Sequence, residues 1–239
     1  KRNKNKKRFL SVALALTMTA TMTAIVPADV VKAADTTVSN PRVEYNTRDT
    51  IEFGHYLQED TNGDGKVDEN DTKQPIKWQI LSKDGDDLFL LADKALDCKL
   101  YNDEYTAVTW ETCTLRTWLN DDFLNTAFSE AEQNGITTTT VVNADNPHHT
   151  TNGGNNTQDK IFLLSLDEVA NTPYGFRSDR EYWDQARICE VTAYAKQQGA
   201  YTDDEDEASS WWWLRSPGRD SSNAASVYHD GYADVSGTD

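Results

Sequence analysis

The sequence predicts an α+β domain. Short runs with alternating apolar residues read as strands, and several other short stretches carry helix caps. The two kinds of element are mixed along the chain without regular strand–helix–strand alternation, which argues against a parallel doubly wound sheet. Some 200 residues beyond an N-terminal leader, with 7 Trp, 10 Tyr and 7 Phe in the whole chain, suffice for one domain with a substantial core. No internal repeat is visible.

Residues 1–33 read as a signal peptide. Lys1 to Arg8 is a basic segment, Phe9 to Pro27 is mostly apolar, and Val31-Lys32-Ala33 fits a small-residue cleavage site. The mature chain is expected to begin near Ala34, with an extended lead-in over 34–47 and a single domain over 48–239. The chain lacks an initiator Met and stops at Asp239, straight after a predicted strand; both ends read as truncated.

The domain opens with a meander: Thr50 to Leu57, Ile76 to Ser82, then Leu88 to Ala92, with Asp84-Gly85 marking the second turn. In the first strand the apolar positions are Ile51, Phe53 and Leu57; in the second, Ile76, Trp78 and Ile80 share one face. Thr109 to Asn120 reads as a helix capped by Thr109, with Leu115, Trp118 and Leu119 as its apolar face. Ser129 with Glu132 forms a capping-box pattern for a short helix ended by Gly135. Ser165 with Glu168 forms another, directly after the apolar strand Ile161 to Leu164. Ile188, Val191, Thr192 and Ala195 recur at helical spacing up to Gly199. The chain then returns to strands at Trp211 to Arg215, Ala224 to His229 and Tyr232 to Val235, the last two joined by Asp230-Gly231, a strong hairpin signal.

Between the first two strands lies Asp60 to Asp71, Asp-Thr-Asn-Gly-Asp-Gly-Lys-Val-Asp-Glu-Asn-Asp. It reads as a calcium loop. Oxygen side chains stand at loop positions one, three, five, nine and twelve: Asp60, Asn62, Asp64, Asp68 and Asp71. Gly65 allows the sharp turn, Lys66 supplies its backbone carbonyl, and Val67 is the apolar eighth residue. A hard cation wants such an oxygen cage. Asp71 replaces the bidentate Glu that closes an EF-hand, so affinity on the order of 10⁻⁴–10⁻³ M, or somewhat tighter, is expected. A single loop between two strands also departs from dockerins, which carry two such loops with helices. The expected role of calcium is structural: it pins a long acidic connection.

The charge suits export. The whole chain has 23 basic and 40 acidic residues, a net charge of −17. The first 33 residues hold seven of the Lys and Arg and one of the acids, leaving the rest at about −23. Such a surface repels nucleic acid and anionic lipid. Asp203 to Glu207 is an unbroken acidic run, read as a solvated loop. The long polar stretch Asn143 to Asp159 carries His148 and His149, read as exposed. Cys98, Cys113 and Cys189 make an odd, sparse set and no disulfide framework, although Cys98–Cys113 is the nearest pair in sequence.

Trp211-Trp212-Trp213-Leu214-Arg215-Ser216-Pro217-Gly218 is the second unusual stretch. Strand alternation sends Trp211 and Trp213 to one face and Trp212 to the other. At least one of them is expected in the core. A buried ion pair or cation–π contact is expected to hold Arg215. The competing reading makes Trp211, Trp212, Trp213 and Arg215 a ligand platform, since exposed tryptophans stack on sugar rings and other flat apolar faces.

These residues, with Phe53-Gly54-His55-Tyr56, Pro75-Ile76-Lys77-Trp78, the run from Thr109 to Asn120 and Phe162-Leu163-Leu164-Ser165, resemble a family of secreted and cell-surface domains of unknown function from Gram-positive bacteria. The resemblance spans the domain from about Thr50 onward; its tryptophan motif is specific and the others moderately so. It implies a C-type-lectin-like fold, shared in outline with the sulfatase-modifying factors, in which a compact sheet carries a face of long loops. Family members usually continue into one or two further strands, often with a Val-Arg-Pro motif; this chain ends before them. The resemblance does not imply sugar binding through calcium, because the Glu-Pro-Asn or Gln-Pro-Asp and Trp-Asn-Asp motifs of lectins are absent. Nor does it imply formylglycine chemistry, which needs a close pair of cysteines.

The sequence therefore favours a secreted or cell-surface, non-catalytic binding module for carbohydrate, cell-wall polymer or an extracellular protein, with a structural calcium site. A spacer domain of a larger surface protein is the alternative, and an enzyme is less favoured. No His-Glu-x-x-His, Gly-x-Ser-x-Gly or phosphate-binding glycine loop is present. For an enzyme, Cys113 with His229 is an imaginable nucleophile–base pair, needing a cleft that brings them within hydrogen-bond reach, and the many acids leave a catalytic carboxylate pair open.

Overall fold

The structure, a computed structural model, describes residues 10–12, 14–19, 45–202 and 208–238. The acidic run Asp203 to Glu207, most of the lead-in and much of the leader lie outside these residues. Among the described residues fifteen strands, most of them short, and a few short helices follow one another: β1 (Leu10–Val12), β2 (Ala15–Thr19), β3 (Thr50–Tyr56), β4 (Gln74–Asp84), β5 (Asp87–Ala92), β6 (Lys94–Ala95), β7 (Asp97–Lys99), α1 (Thr114–Trp118), a π-helical turn (Leu119–Phe123), α2 (Leu124–Ala127), α3 (Glu130–Gly135), β8 (Thr139–Val141), β9 (Thr157–Asp159), β10 (Ile161–Phe162), β11 (Cys189–Val191), α4 (Ala193–Gln197), β12 (Ser209–Ser210), β13 (Trp212–Pro217), β14 (Ala224–Val227) and β15 (Ala233–Thr238). The mixture is α+β, as the sequence predicts.

Two five-stranded sheets hold the core, in the orders β15-β14-β13-β1-β7 and β10-β2-β5-β4-β3. The meander β3-β4-β5 is antiparallel throughout, and the acidic loop connects β3 to β4. Ile76, Trp78 and Ile80 on β4 are buried, as their alternation requires. In β3 the alternation slips. A bulge between Glu52 and His55 places Gly54 at φ +72 with Phe128 against it. A side chain there would collide with that ring, so glycine is required. The bulge turns Tyr56 inward, and Tyr56 rather than Leu57 is the buried residue at this end.

The helix predicted from Thr109 starts later and runs further. Residues 109–113 form a turn closed by the Thr109 carbonyl. The α1 N-terminus is instead capped from outside: Asn102 Oδ1 accepts from Thr114 N at 3.0 Å, and the Tyr101 carbonyl accepts from Leu115 N at 3.2 Å. Neighbouring loops supply the acceptors that orphan N–H groups need, so no local cap marks the start. Asn120, expected as the last helical residue, lies in the π-helical turn. Its side chain bonds Ile161 like a neighbouring strand, donating to the Ile161 carbonyl at 2.8 Å and accepting from Ile161 N at 3.2 Å.

The Ser129–Glu132 capping box forms with both bonds in place. Ser165 and Glu168 make the same reciprocal pair, over a single 3₁₀ turn rather than an α-helix. The apolar stretch Ile161 to Leu164 pairs as a strand only at Ile161–Phe162. The helical spacing from Ile188 spans two elements: Cys189–Val191 is a strand, and α4 begins after Thr192, whose hydroxyl accepts from Ala195 N at 3.1 Å.

Residues read as leader also take part. β1 lies between β13 and β7, and β2 between β10 and β5. Leu14, Ala15 and Leu16 are fully buried. No helix among the described residues is long and apolar enough to cross a membrane.

Four tryptophans, Trp78, Trp110, Trp212 and Trp213, are fully buried. Each indole N–H has an acceptor: the Phe53 carbonyl at 2.7 Å, Asp159 Oδ2 at 2.9 Å, the Arg187 carbonyl at 3.0 Å and the Lys99 carbonyl at 3.1 Å. A large apolar body is thus buried without leaving a polar atom unpaired.

Candidate functional site: the acidic loop and an aromatic surface patch

In the acidic loop, Gly63 and Gly65 take φ of +79 and +86, conformations that glycine adopts at no steric cost. Val67 is buried, and the Gln197 side chain brackets its peptide groups, accepting from Val67 N at 2.9 Å and donating to the Val67 carbonyl at 2.8 Å. The loop is therefore tied to α4. Asp60 accepts from Gly63 N at 2.6 Å and Gly65 N at 2.8 Å. Asn62 accepts from Asp64 N, and Asp64 from Lys66 N. Asp68 accepts from Asn70 N at 2.9 Å. Asp71 is buried and accepts from Asp68 N, Thr61 N, the Thr61 hydroxyl and Asn62 N. The Asp68 amide first, then the Thr61 and Asn62 donors, hold its carboxyl below the ordinary carboxylate range, against the opposing effect of desolvation.

The predicted ligands Asp60, Asn62, Asp64, Lys66, Asp68 and Asp71 thus share one compact loop, where the side-chain oxygens of the five Asp and Asn residues accept from backbone amides. Among the described residues, no three His, Cys, Asp or Glu side chains group closely enough to hold a metal ion. The donor chemistry still fits a hard cation, because a carboxylate oxygen bonded to one amide keeps a second lone pair.

The tryptophan motif divides between core and surface. Trp212 and Trp213 are 1% and 0% exposed and Arg215 is 5% exposed, so these three cannot present a face to a ligand. β13 is a central strand, with β14 on one side and β1 on the other, and both of its faces are covered. Arg215 is held by a bidentate ion pair to Glu168, with Nη2–Oε1 at 2.9 Å and Nη1–Oε2 at 2.5 Å, and lies 5.7 Å from the Phe162 ring centre.

Trp211, one residue before the strand, is partly buried at the margin of the core. It stacks on Tyr228 at 4.2 Å between ring centres and meets Tyr201 edge-on at 5.5 Å. Tyr228 in turn contacts Tyr232 at 5.6 Å. The Trp211 indole N–H donates to His229 Nδ1 at 3.1 Å, and the Tyr228 hydroxyl donates to Asp234 at 2.7 Å. Tyr201 is half exposed. Burial, then the charges of Glu181, Asp234, Asp179 and Asp230, raise the Tyr232 phenol pKa, which places an acidic rim beside the aromatic row. Sequence reasoning missed Tyr201, Tyr228 and Tyr232. The last two flank the Asp230-Gly231 turn symmetrically and pair through Tyr228 N and the Tyr232 carbonyl; that symmetry was the available signal.

Two of the concavities among the described residues lie elsewhere on the surface. One, of about 460 Å³, is lined by Lys99, Asp103, Thr114, Trp118, Asp121 and Asp122 among others, with Lys99 Nζ 4.7 Å from the Trp118 ring centre. The other, of about 260 Å³, includes Thr17, Phe89, Phe162, Tyr174 and the Arg215–Glu168 pair.

The three cysteines are poorly placed to act as nucleophiles. Cys98, Cys113 and Cys189 are all buried and unpaired with one another. Burial pushes each thiol up to about 12, far from the reactive thiolate range. Cys113 faces the Trp110 carbonyl, whereas the His229 ring is bonded to Trp211. His148 lies 3.6 Å from Glu181, and the neighbouring His149 ring is 6.5 Å from that of His148.

The molecule is thus an α+β domain with a tryptophan-rich core, an aromatic surface row and a tethered acidic loop. The profile of DUF6273, described as a domain of unknown function, matches residues 85–238, and the chain belongs to that family. The acidic loop precedes the matched stretch. No curated protein and no solved structure matches the chain.

Proposed function

We propose that this protein is a secreted or cell-surface, non-catalytic binding module on a C-type-lectin-like scaffold. The observation that carries this reading is the partly exposed aromatic row Tyr201, Trp211, Tyr228 and Tyr232, in which Tyr201 is half exposed and the other three are partly buried, with its acidic rim. Flat π-faces beside hydrogen-bonding carboxylates suit sugar rings of a glycan or cell-wall polymer, and suit the aromatic-rich surfaces of extracellular proteins less closely. The leader-like N-terminus and the acidic charge support an extracellular setting. The buried thiols support a non-catalytic role.

A glycan and cell-wall polymer array tests the reading. Trp211→Ala is expected to weaken binding at least about tenfold, the loss expected when an aromatic platform contributing roughly 1–2 kcal/mol is removed. The melting temperature should fall only modestly, because Trp211 is partly buried at the margin of the core, and binding is compared below the transition of both proteins. Unchanged binding by Trp211→Ala would move the site elsewhere, and silence across the array would favour a spacer role.

Calcium is proposed to bind Asp60, Asn62, Asp64, the Lys66 carbonyl, Asp68 and Asp71, and to stiffen the β3–β4 connection. Millimolar calcium is expected to raise the melting temperature, and Asp64→Ala to remove most of that gain, since a ligand bound only by the folded state adds stability in proportion to its affinity. Identical melting curves in calcium and in chelator would exclude the site.

A further inference from the structure

The cavity of about 260 Å³ forms where the turn at Ser165–Glu168 meets the tryptophan strand β13. Among the described residues that line it, Arg215 and Glu168 are the two charged ones, and they neutralise each other. The Arg215 side chain is 4% exposed and that of Glu168 23%, so a buried arginine holds a carboxylate at the cavity wall. All five guanidinium donors are engaged. Nε and Nη2 reach the Val142 carbonyl at 3.4 and 3.2 Å, Nη1 reaches the Leu163 carbonyl at 2.7 Å, and both Nη atoms reach the carboxylate. Glu168 Oε2 accepts from Arg215 and from Ser165 N. Among the described residues Oε1 accepts from Arg215 Nη2 and keeps a second lone pair.

These bonds select the ligand. An anion finds no free donor on Arg215, and a cation gains little beside a carboxylate whose charge is already paired. A neutral hydroxyl can donate to Oε1, while the hydroxyls of Ser82, Thr139 and Tyr174 along the wall can donate or accept around it. The remaining wall is aromatic. Phe89 stacks on Phe162 at 5.8 Å between ring centres and meets Tyr174 edge-on at 5.5 Å, and Phe89 and Tyr174 are only partly buried. A sugar ring has this same two-sided character, apolar on its faces and hydroxylated at its rim. We propose that the cavity is a second binding site, for a single neutral, hydroxyl-rich sugar unit, with Glu168 Oε1 as acceptor and Arg215 as the residue that positions it. Its volume lies at the small end of ligand cavities, which suits one ring rather than a chain. The site shares no residue with the aromatic row and does not rest on it. Thr17, from the segment read as a leader, completes one wall; the groups assigned to the ligand all lie at Ser82 and beyond.

The test titrates the full chain with the methyl glycosides of glucose, galactose, mannose and N-acetylglucosamine, and with glucuronate and glucosamine as charged counterparts, followed by saturation-transfer difference NMR. At least one neutral probe should bind with a Kd on the order of 1 mM, as expected for so small a ligand. The signal should persist in Trp211→Ala, in which the aromatic row cannot carry it. Phe89→Ala should weaken it at least about tenfold by removing the aromatic wall. Tyr174→Phe, which keeps the ring and loses the hydroxyl, should weaken it at least about threefold and decides the matter if Phe89→Ala does not fold. Silence of every neutral probe overturns the proposal, as does unchanged affinity in Tyr174→Phe. Tighter binding of glucuronate or glucosamine than of the neutral sugars overturns the ligand class. Loss of the signal in Trp211→Ala assigns it to the aromatic row and overturns the cavity, whereas a silent polymer array with these probes still bound removes the row and upholds the cavity.

Discussion

Arg187→Met is expected to lower stability by about 3–5 kcal/mol, the cost of breaking a buried charged network, and hence the melting temperature by about 10 °C for a domain of this size. The Arg187 side chain is fully buried. Its Nε donates to the Gly231 carbonyl at 2.7 Å. Nη1 reaches the carbonyls of Val169 at 3.0 Å and Arg177 at 3.4 Å, and Nη2 those of Asp179 at 2.9 Å and Tyr182 at 2.6 Å. Asp184 lies 3.7 Å from Nε. One planar guanidinium therefore gathers the irregular segment 177–184, the 3₁₀ turn at Glu168–Ala170 and the β14–β15 turn. Met fills a similar volume but leaves these carbonyls buried and unpaired. Arg187→Lys should recover only part of the loss, since a point-charge ammonium with three donors cannot match a five-donor fork. Thermal melts followed by circular dichroism check this, with hydrogen exchange over 177–184 as the local readout; a shift under 2 °C would mean that water replaces the guanidinium without cost.

The second large effect is expected at Arg215→Met, again about 3–5 kcal/mol. Besides Glu168, Arg215 bonds the Leu163 carbonyl at 2.7 Å and the Val142 carbonyl at 3.2 Å. Glu168 also accepts from Ser165 N at 2.8 Å, so loss of the arginine leaves a part-buried carboxylate facing its own capping turn. The double variant Arg215→Met with Glu168→Met should be less harmful than the sum of the two singles, because removing both partners leaves no unpaired charge. Strict additivity in urea titrations would show that the pair is not coupled.

These arginines illustrate what a sequence conceals. Arg215 is legible: it stands in a strand beside tryptophans, and a buried ion pair is the expected device. Arg187 carries no local signal, because its acceptors are backbone carbonyls of residues as distant as Gly231, and any residue could supply them. The meander was readable from the alternation of Ile76, Trp78 and Ile80; the phase slip in β3 was not, since it depends on Phe128 packing against Gly54. Adjacent Trp212 and Trp213 are both buried because β13 is covered on both faces, a fact of sheet order that alternation alone does not give. The acidic loop was visible as a spacing of oxygens, whereas its tether to Gln197 arises only from folding. The aromatic row escaped because Tyr201, Trp211 and Tyr228 come together from separate segments.

The sorting of the tryptophans has a spectroscopic consequence. The chain has seven, of which Trp78, Trp110, Trp212 and Trp213 are sealed in the core, Trp118 and Trp211 are partly covered and Trp183 is open to solvent. Emission should therefore separate into a blue component inaccessible to acrylamide and a red, quenchable one. Occupancy of the aromatic row would silence quenching of Trp211 while the blue component stays constant, and unfolding would merge the two. The protein thus carries an intrinsic optical gauge that distinguishes a bound state from a loosened one without any attached dye.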